Sequence, residues 1–431
     1  MVEVEWNADA VVALREAMRR SRAEFARTVG VSKRTLALWE SGTTTSMHAA
    51  SRRLLDKVLA EADDSIVSRF HWSLRQRTSP TAPNPSAPVA DPVADSANQS
   101  AALLNWAEAS NTGPLTIAGM RDELRSVSRS YLREPTQPLF DRSTVVRDRA
   151  AELLSGRQHP SHTALLYGVA GWALTLLGWI TIDLGKPDTA DKHLRAAWAF
   201  ADNADDDNLR AWVRASQHTS SFWREDYLLA AEYARDGLQY ATDGTAALFL
   251  SSALALDLAY ARDGRGAASA RDRAVDFGAA SAENPSLDVL AGPFACSVER
   301  AGGLWADTSL TQVDPARSLE FATAAVQGYA RTPDDRRNVG SERMVRCQEI
   351  KAHVALGNLD VARDQLEHLA GATPAEHRIG PLAQRVEEIA WMARDVAGSD
   401  ARGVPEIVDC AVEFRRAPQA GTLPMLSGGM G

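Results

Sequence analysis

The chain has 431 residues, of which 45% are hydrophobic and 24% charged, too long for one core and ordinary for globular domains, so two or three folded units are expected. A net charge of −9 argues against a nucleic-acid binder along its whole length. Cys296, Cys347 and Cys410 match no metal or redox spacing, which points to a reduced, intracellular setting.

No apolar run follows a basic start, so no signal peptide is expected. The most apolar stretch, 169–182, is shorter than the ~20 residues a membrane span needs. Residues 8–20 are expected as a first helix, with Val11, Val12, Leu14 and Met18 on its apolar side and Trp6 at its start. Ser21 and Glu24 have the spacing of a capping box. That second helix runs through Phe25 and Ala26 to Val29, and Gly30 falls where a left-handed cap would. Ser32 opens a third helix that reaches about Glu40, and Gly42 ends it. Phe25, Val29, Val31, Leu36 and Trp39 suit the buried sides of two crossing helices.

Lys33 and Arg34 stand in the first turn of that third helix. The macrodipole is positive there, and basic residues cost about 0.3–1 kcal/mol each relative to acidic ones. A negative partner at that helix end would offset the cost, and DNA is the obvious one. Charge is also unevenly spread. Residues 11–60 hold ten Lys and Arg against four acids, a surplus of six that leaves the rest of the chain at −15. A basic head on an acidic body fits one DNA-binding module carrying a larger domain of another kind.

The pattern Ala26-x3-Gly30-Val31-Ser32-x3-Leu36-x2-Trp39-Glu40-x-Gly42 resembles the Cro/repressor-type helix-turn-helix of the xenobiotic-response-element class, over about residues 8–62. The resemblance implies a lambda-repressor-like head. In it Lys33, Arg34 and Leu38 would face base edges, and Arg22, Thr35, Ser41 and Thr43 would sit near phosphates; Ser32 joins the DNA-binding set at the same helix end. Leu38 departs from the polar reader common there and could contact only a thymine methyl. The usual Pro after the glycine is also missing.

Residues 47–62 are expected as a fourth helix, with Leu54, Leu55, Val58 and Leu59 closing the small core. A further helix at 63–74 carries Phe70 and Trp72, which pack on the fourth helix or form a dimer contact. Residues 77–100, rich in Pro, Ala and Ser, read as a linker. The domain division is a head at 1–76, a linker at 77–112, a helical-repeat body at 113–400 and a tail at 401–431.

From about 101 onward the pattern is helical, and no run alternates at period two. Candidate helices cover 116–132, 143–155, 161–184, 188–203, 208–223, 227–241, 245–262, 266–281, 287–305, 315–330, 338–356, 360–370 and 379–397. Residues 171–204 carry Leu177-Gly178, Leu184-Gly185, Ala190, Leu194 and Ala197; residues 343–376 carry Leu356-Gly357, Ala362, Leu366 and Leu369. Both resemble the tetratricopeptide repeat. Between them, turn signals at Glu225-Asp226, Asp263-Gly264 and Val313-Asp314 give degenerate repeats with longer loops. The resemblance, over roughly 115–400, implies an all-α solenoid whose concave side is the default ligand site. Candidate groove residues are Trp172, Trp179, Trp212, Trp223, Arg214, Arg300, Arg343 and Arg346, with Phe222 beside them, because aromatic and Arg side chains are favoured anchors at binding surfaces. Core packing or a solvated face competes with that reading at every one of them.

Other patterns carry less. His159 and His162 lack acidic or Cys companions, residues 202–207 lack the spacing of a calcium loop, and the terminal GGMG follows no strand. No nucleophile has an identifiable base beside it, so neither an enzyme nor a metal or cofactor is expected. The whole resembles peptide-pheromone-responsive regulators of Gram-positive bacteria. That implies a cytoplasmic, nucleoid-associated homodimer on a DNA operator, controlled by a peptide, small molecule or protein held in the repeat body. The alternative is a protein-interaction scaffold with only non-specific DNA tethering.

Overall fold

The computed structural model of the chain describes residues 4–42, 47–77, 93, 96–100, 103, 109–241, 243–283, 290–334, 337–399 and 401–416. Regular structure among the described residues is helical throughout. The chain divides into two compact units between residues 99 and 100.

The first unit holds α1 (Ala8–Ala17), α2 (Arg22–Val29), α3 (Lys33–Glu40), α4 (Ala49–Ala60) and α5 (Asp64–Arg77). Ser21 and Glu24 form the reciprocal capping box, and Gly30 ends α2 at φ +79°. That left-handed conformation costs a side chain of ordinary type about 1–2 kcal/mol. Ser32 then caps α3 through the Thr35 amide at 3.0 Å. The core gathers Val11, Leu14, Phe25, Val29, Leu36, Trp39 and Leu55. Phe70 is buried against Trp6, with ring centroids 5.7 Å apart, because α5 packs on α1 rather than on α4. Trp72 and Leu54, by contrast, are exposed. They lie off the buried stripes of their helices, so Leu54 does not close the core as expected.

The second unit opens with α6 (Pro114–Ser130) and α7 (Thr136–Ser155). Antiparallel pairs follow: α8 (Pro160–Asp183) with α9 (Pro187–Ala204), α10 (Asp207–Phe222) with α11 (Tyr227–Gly237), and α12 (Gly244–Tyr260) with α13 (Gly264–Glu283). After a short 3-10 turn at Gly292–Phe294 come α14 (Val298–Thr311) with α15 (Pro315–Arg331), α16 (Val339–Ala355) with α17 (Leu359–Gly371), and α18 (Gly380–Ala397) with α19 (Val404–Arg416). The first member of each pair packs on the first member of the next, so α8, α10, α12, α14, α16 and α18 form an inner row. The row returns on itself, since α18 meets α8. At that meeting a side chain on Gly380 would lie 3.4 Å from the Gly185 Cα.

Gly178 shows why the first pair fits so closely. A Cβ there would stand 2.5 Å from Leu194 of α9, so only glycine lets the two helices approach. The interhelix turns share one conformation: Gly185, Glu225, Arg262, Val313 and Gly357 all have positive φ. In three of them the next residue, Asp226, Asp263 or Asp314, takes an amide N–H of the following helix on its carboxylate.

Two expectations need correction. The helix expected at 287–305 starts only at Val298, because Pro293 and the left-handed Gly292 break the run and Ser297 supplies the cap of a new helix. The tail expected from 401 contains α19, whose Val404, Ile407, Ala411 and Phe414 are buried. One helix among the described residues, α8, is long and apolar enough to cross a membrane, but 83% of its most apolar window is buried inside the protein.

Candidate functional site

Two sites emerge, one in each unit. On the first unit, the start of α3 presents Lys33 and Arg34 side by side and exposed. The first turn of α3 has no acidic residue, and among the described residues neither cation has a carboxylate partner. Leu38 is exposed on the same helix. Ser32 and Thr35 share a 2.8 Å hydroxyl contact, and Ser41 donates to the Leu38 carbonyl at 3.2 Å. Arg22 is 69% exposed, but its Nε is held at 2.5 Å by Glu40, which also takes Arg15 at 2.5 Å. It is therefore tethered, not free, for a phosphate. Thr43 lies outside the described residues.

In the second unit the inner row lines a half-open cavity of about 150 Å³. Its apolar wall comes from Trp179 of α8, Phe222 and Trp223 at the end of α10, Phe249 and Leu256 of α12, and Leu304 of α14. Of the residues expected in a groove, Trp179, Trp223 and Arg300, with Phe222, are brought together here. Trp172 and Trp212 are instead buried in the core, edge-on to Phe294 at 5.4 and 5.8 Å. Arg214 is an interhelix tie, bonded to Asp236 and 3.6 Å from the Trp198 ring centroid. Arg346 pairs with Glu342 at 2.8 Å on its own helix. Arg343 is buried outside the cavity lining. Trp172 stands on a helix that is apolar all round, where spacing cannot say which side faces inward; the other four depend on neighbouring helices that their own spacing does not reveal.

The polar part of the cavity was not legible as a site in the sequence. Tyr131, from the turn between α6 and α7, donates its hydroxyl to Asp183. Burial pushes the Asp183 carboxyl up to about 7, against the pull of Tyr131, Arg300 and the Trp179 indole. Arg300 of α14 donates to the carbonyls of Pro293 at 2.8 Å and Ala295 at 2.6 Å. It lies over Phe249 at 4.5 Å and near Trp179 at 5.4 Å, and burial lowers its pKa. Deeper in, Asp307 binds Arg385 at 2.6 Å and Lys351 at 3.4 Å, and Glu388 binds the same two at 2.7 and 2.9 Å. Tyr260 donates to Asp307 at 3.3 Å. This four-charge network ties α12, α14, α16 and α18 together. Burial opposes the charge on Lys351, yet Asp307 holds its ammonium above the usual range. Asp183, at the end of a helix that is otherwise apolar on nearly every side, is the one signal the sequence held; Asp307, Lys351 and Arg385 stand in helices that carry other charged residues and do not stand out.

His218 lies between Asp257, 3.0 Å away, and Thr219. The three residue types suggest a relay, but the geometry does not. The Thr219 hydroxyl donates to the Ala215 carbonyl at 2.8 Å and stands 3.5 Å from the imidazole, so it is not activated as a nucleophile.

No family model matches this chain, and no curated protein matches it. Among solved structures, the chain is similar to yeast Tom70, with 13% identity and a TM-score of 0.38, over 95% of this chain and 82% of that one. A likeness of that degree says nothing of function.

Proposed function

We propose that the protein is a sequence-specific DNA-binding transcriptional regulator. In this reading α2 and α3 are a helix-turn-helix of the xenobiotic-response-element class, and the tetratricopeptide-like body holds a ligand that controls DNA binding. The observation that carries it is the exposed pair Lys33 and Arg34 at the positive end of α3, with no acid beside them. A polyanion offsets that arrangement as no part of the described chain does. The regulator acts as a homodimer in the bacterial cytoplasm, at the nucleoid, on half-sites about one helical turn, ~34–36 Å, apart.

Footprinting on genomic DNA tests the reading. Protection of a defined site is expected, and Lys33→Ala or Arg34→Ala should cost about 1–3 kcal/mol of binding to it. Smeared protection without a preferred site would instead favour a protein-interaction scaffold with a basic tether. Unchanged affinity in both variants would remove α3 from the groove.

A further inference from the structure

Among the described residues, the carboxylates on and beside the cavity each have a partner within the chain, although Asp257 Oδ2 and the Arg385 Nε are buried without one. Asp183 accepts from Tyr131, Asp257 pairs with His218, and Asp307 and Glu388 share Arg385 and Lys351. Arg300 breaks the pattern. Its guanidinium is held by two neutral carbonyls, and among the described residues it makes no ion pair. A second group is also short of a partner: the amide oxygen of Gln348, a cavity-lining residue, is buried and receives no donor. The aromatic faces offer nothing to an incoming cation, because Arg300 covers Phe249 and Arg385 lies 5.0 Å from the Trp223 centroid. Size narrows the choice further. The interior, near 150 Å³, seats about one benzene-sized ring, and anything longer extends from its open side.

We infer that the cavity binds a compact aromatic carboxylate, with one ring system against the apolar wall of Trp179, Phe222 and Leu256, its carboxylate on Arg300, and a ring N–H or O–H donor for Gln348. The assignment of this ligand as the controlling one rests on the regulator reading above; its binding does not. Charge-assisted contact with a partly buried guanidinium is among the stronger hydrogen bonds available to a ligand, and the flanking rings limit the water that would compete with it.

The test uses the full chain and isothermal titration with 4-hydroxyphenylacetate, indole-3-acetate, 4-hydroxyphenylacetamide and tyramine. The two acids should saturate the protein and bind at least about tenfold tighter than the amide and the amine. Arg300→Gln should bring acid and amide to about equal affinity. With phenylacetate added to the panel, the unaltered protein should prefer 4-hydroxyphenylacetate over it, and Gln348→Leu, with Arg300 intact, should erase that preference. Should Arg300→Gln fail to fold, the comparison of acid with amide on the unaltered protein still decides. Equal affinity for acid and amide, tighter binding of tyramine, or no saturation by either acid at millimolar concentration overturns the inference. A footprint that is unmoved by a bound acid would leave the ligand class standing and remove its regulatory role. A footprint with no acid bound would remove the ligand class alone.

Discussion

Asp183 holds its proton in a range where exposed carboxylates have long lost theirs. Burial puts it at about 7, against about 4 in an unfolded chain. Between those values the native state keeps a proton that the unfolded chain has released, so stability falls as pH rises. The contribution is fully present below about pH 4 and gone above about 7, and its ceiling is on the order of 3–4 kcal/mol. Asp183→Asn is neutral throughout. Melting curves from pH 4 to 8 should therefore show a smaller loss of Tm in the variant than in the unaltered protein. An equal loss in both would mean that Asp183 is ionised in the folded state well below pH 7. This residue also marks the limit of sequence reading. An Asp at the end of a long apolar helix looks like a terminus reaching solvent, and nothing local says that Tyr131, 52 positions earlier, covers it.

At the scale of the element, the repeated turn explains why the repeats look degenerate. The first and last full turns use Gly185 and Gly357, and the sequence pattern is clear there. The middle turns place Glu225, Arg262 and Val313 in the same left-handed conformation, so the glycine signal vanishes while the geometry persists. Val313 is the most strained of these by type, being β-branched, and it is 87% exposed. Val313→Gly should relieve about 1–2 kcal/mol of local strain and return about 0.5–1 kcal/mol of it as unfolded-state entropy. The net expectation is a small gain in thermal stability. Gly357→Val should do the reverse, its strain of about 1–2 kcal/mol being offset by about 0.5–1 kcal/mol from the unfolded state, for a small net loss of stability. Urea unfolding of the two variants checks both signs; a loss in the first would show that Val313 makes contacts that outweigh its backbone strain. The short helices of the first unit were legible for the opposite reason. Ser21, Glu24, Gly30 and Ser32 each bond within a few residues, and local chemistry is what a sequence displays. The break before α14 and the last helix, α19, were lost because proline placement and a burial stripe near the end had to be weighed against neighbours not yet placed.

For the whole molecule, the inner row was predictable as a stack, but its return was not, because that depends on small rotations accumulated over six pairs. The paired charges on α14, α16 and α18, the seat of Tyr131 on Asp183 and the close passage of Gly380 by Gly185 all join parts far apart along the chain. Linear arrays of this type come apart from their tips, since each unit leans only on its neighbours. Here the tips lean on each other. Amide hydrogen exchange should accordingly lack the usual gradient from centre to extremity, with the inner amides of α8 and α18 exchanging as slowly as those of α12. Severing Asp307 from Arg385, by Arg385→Met, should restore that gradient and let the outermost hairpin open by itself. What holds the cavity would then also set how the body unfolds: as one piece, with no safe end from which to begin.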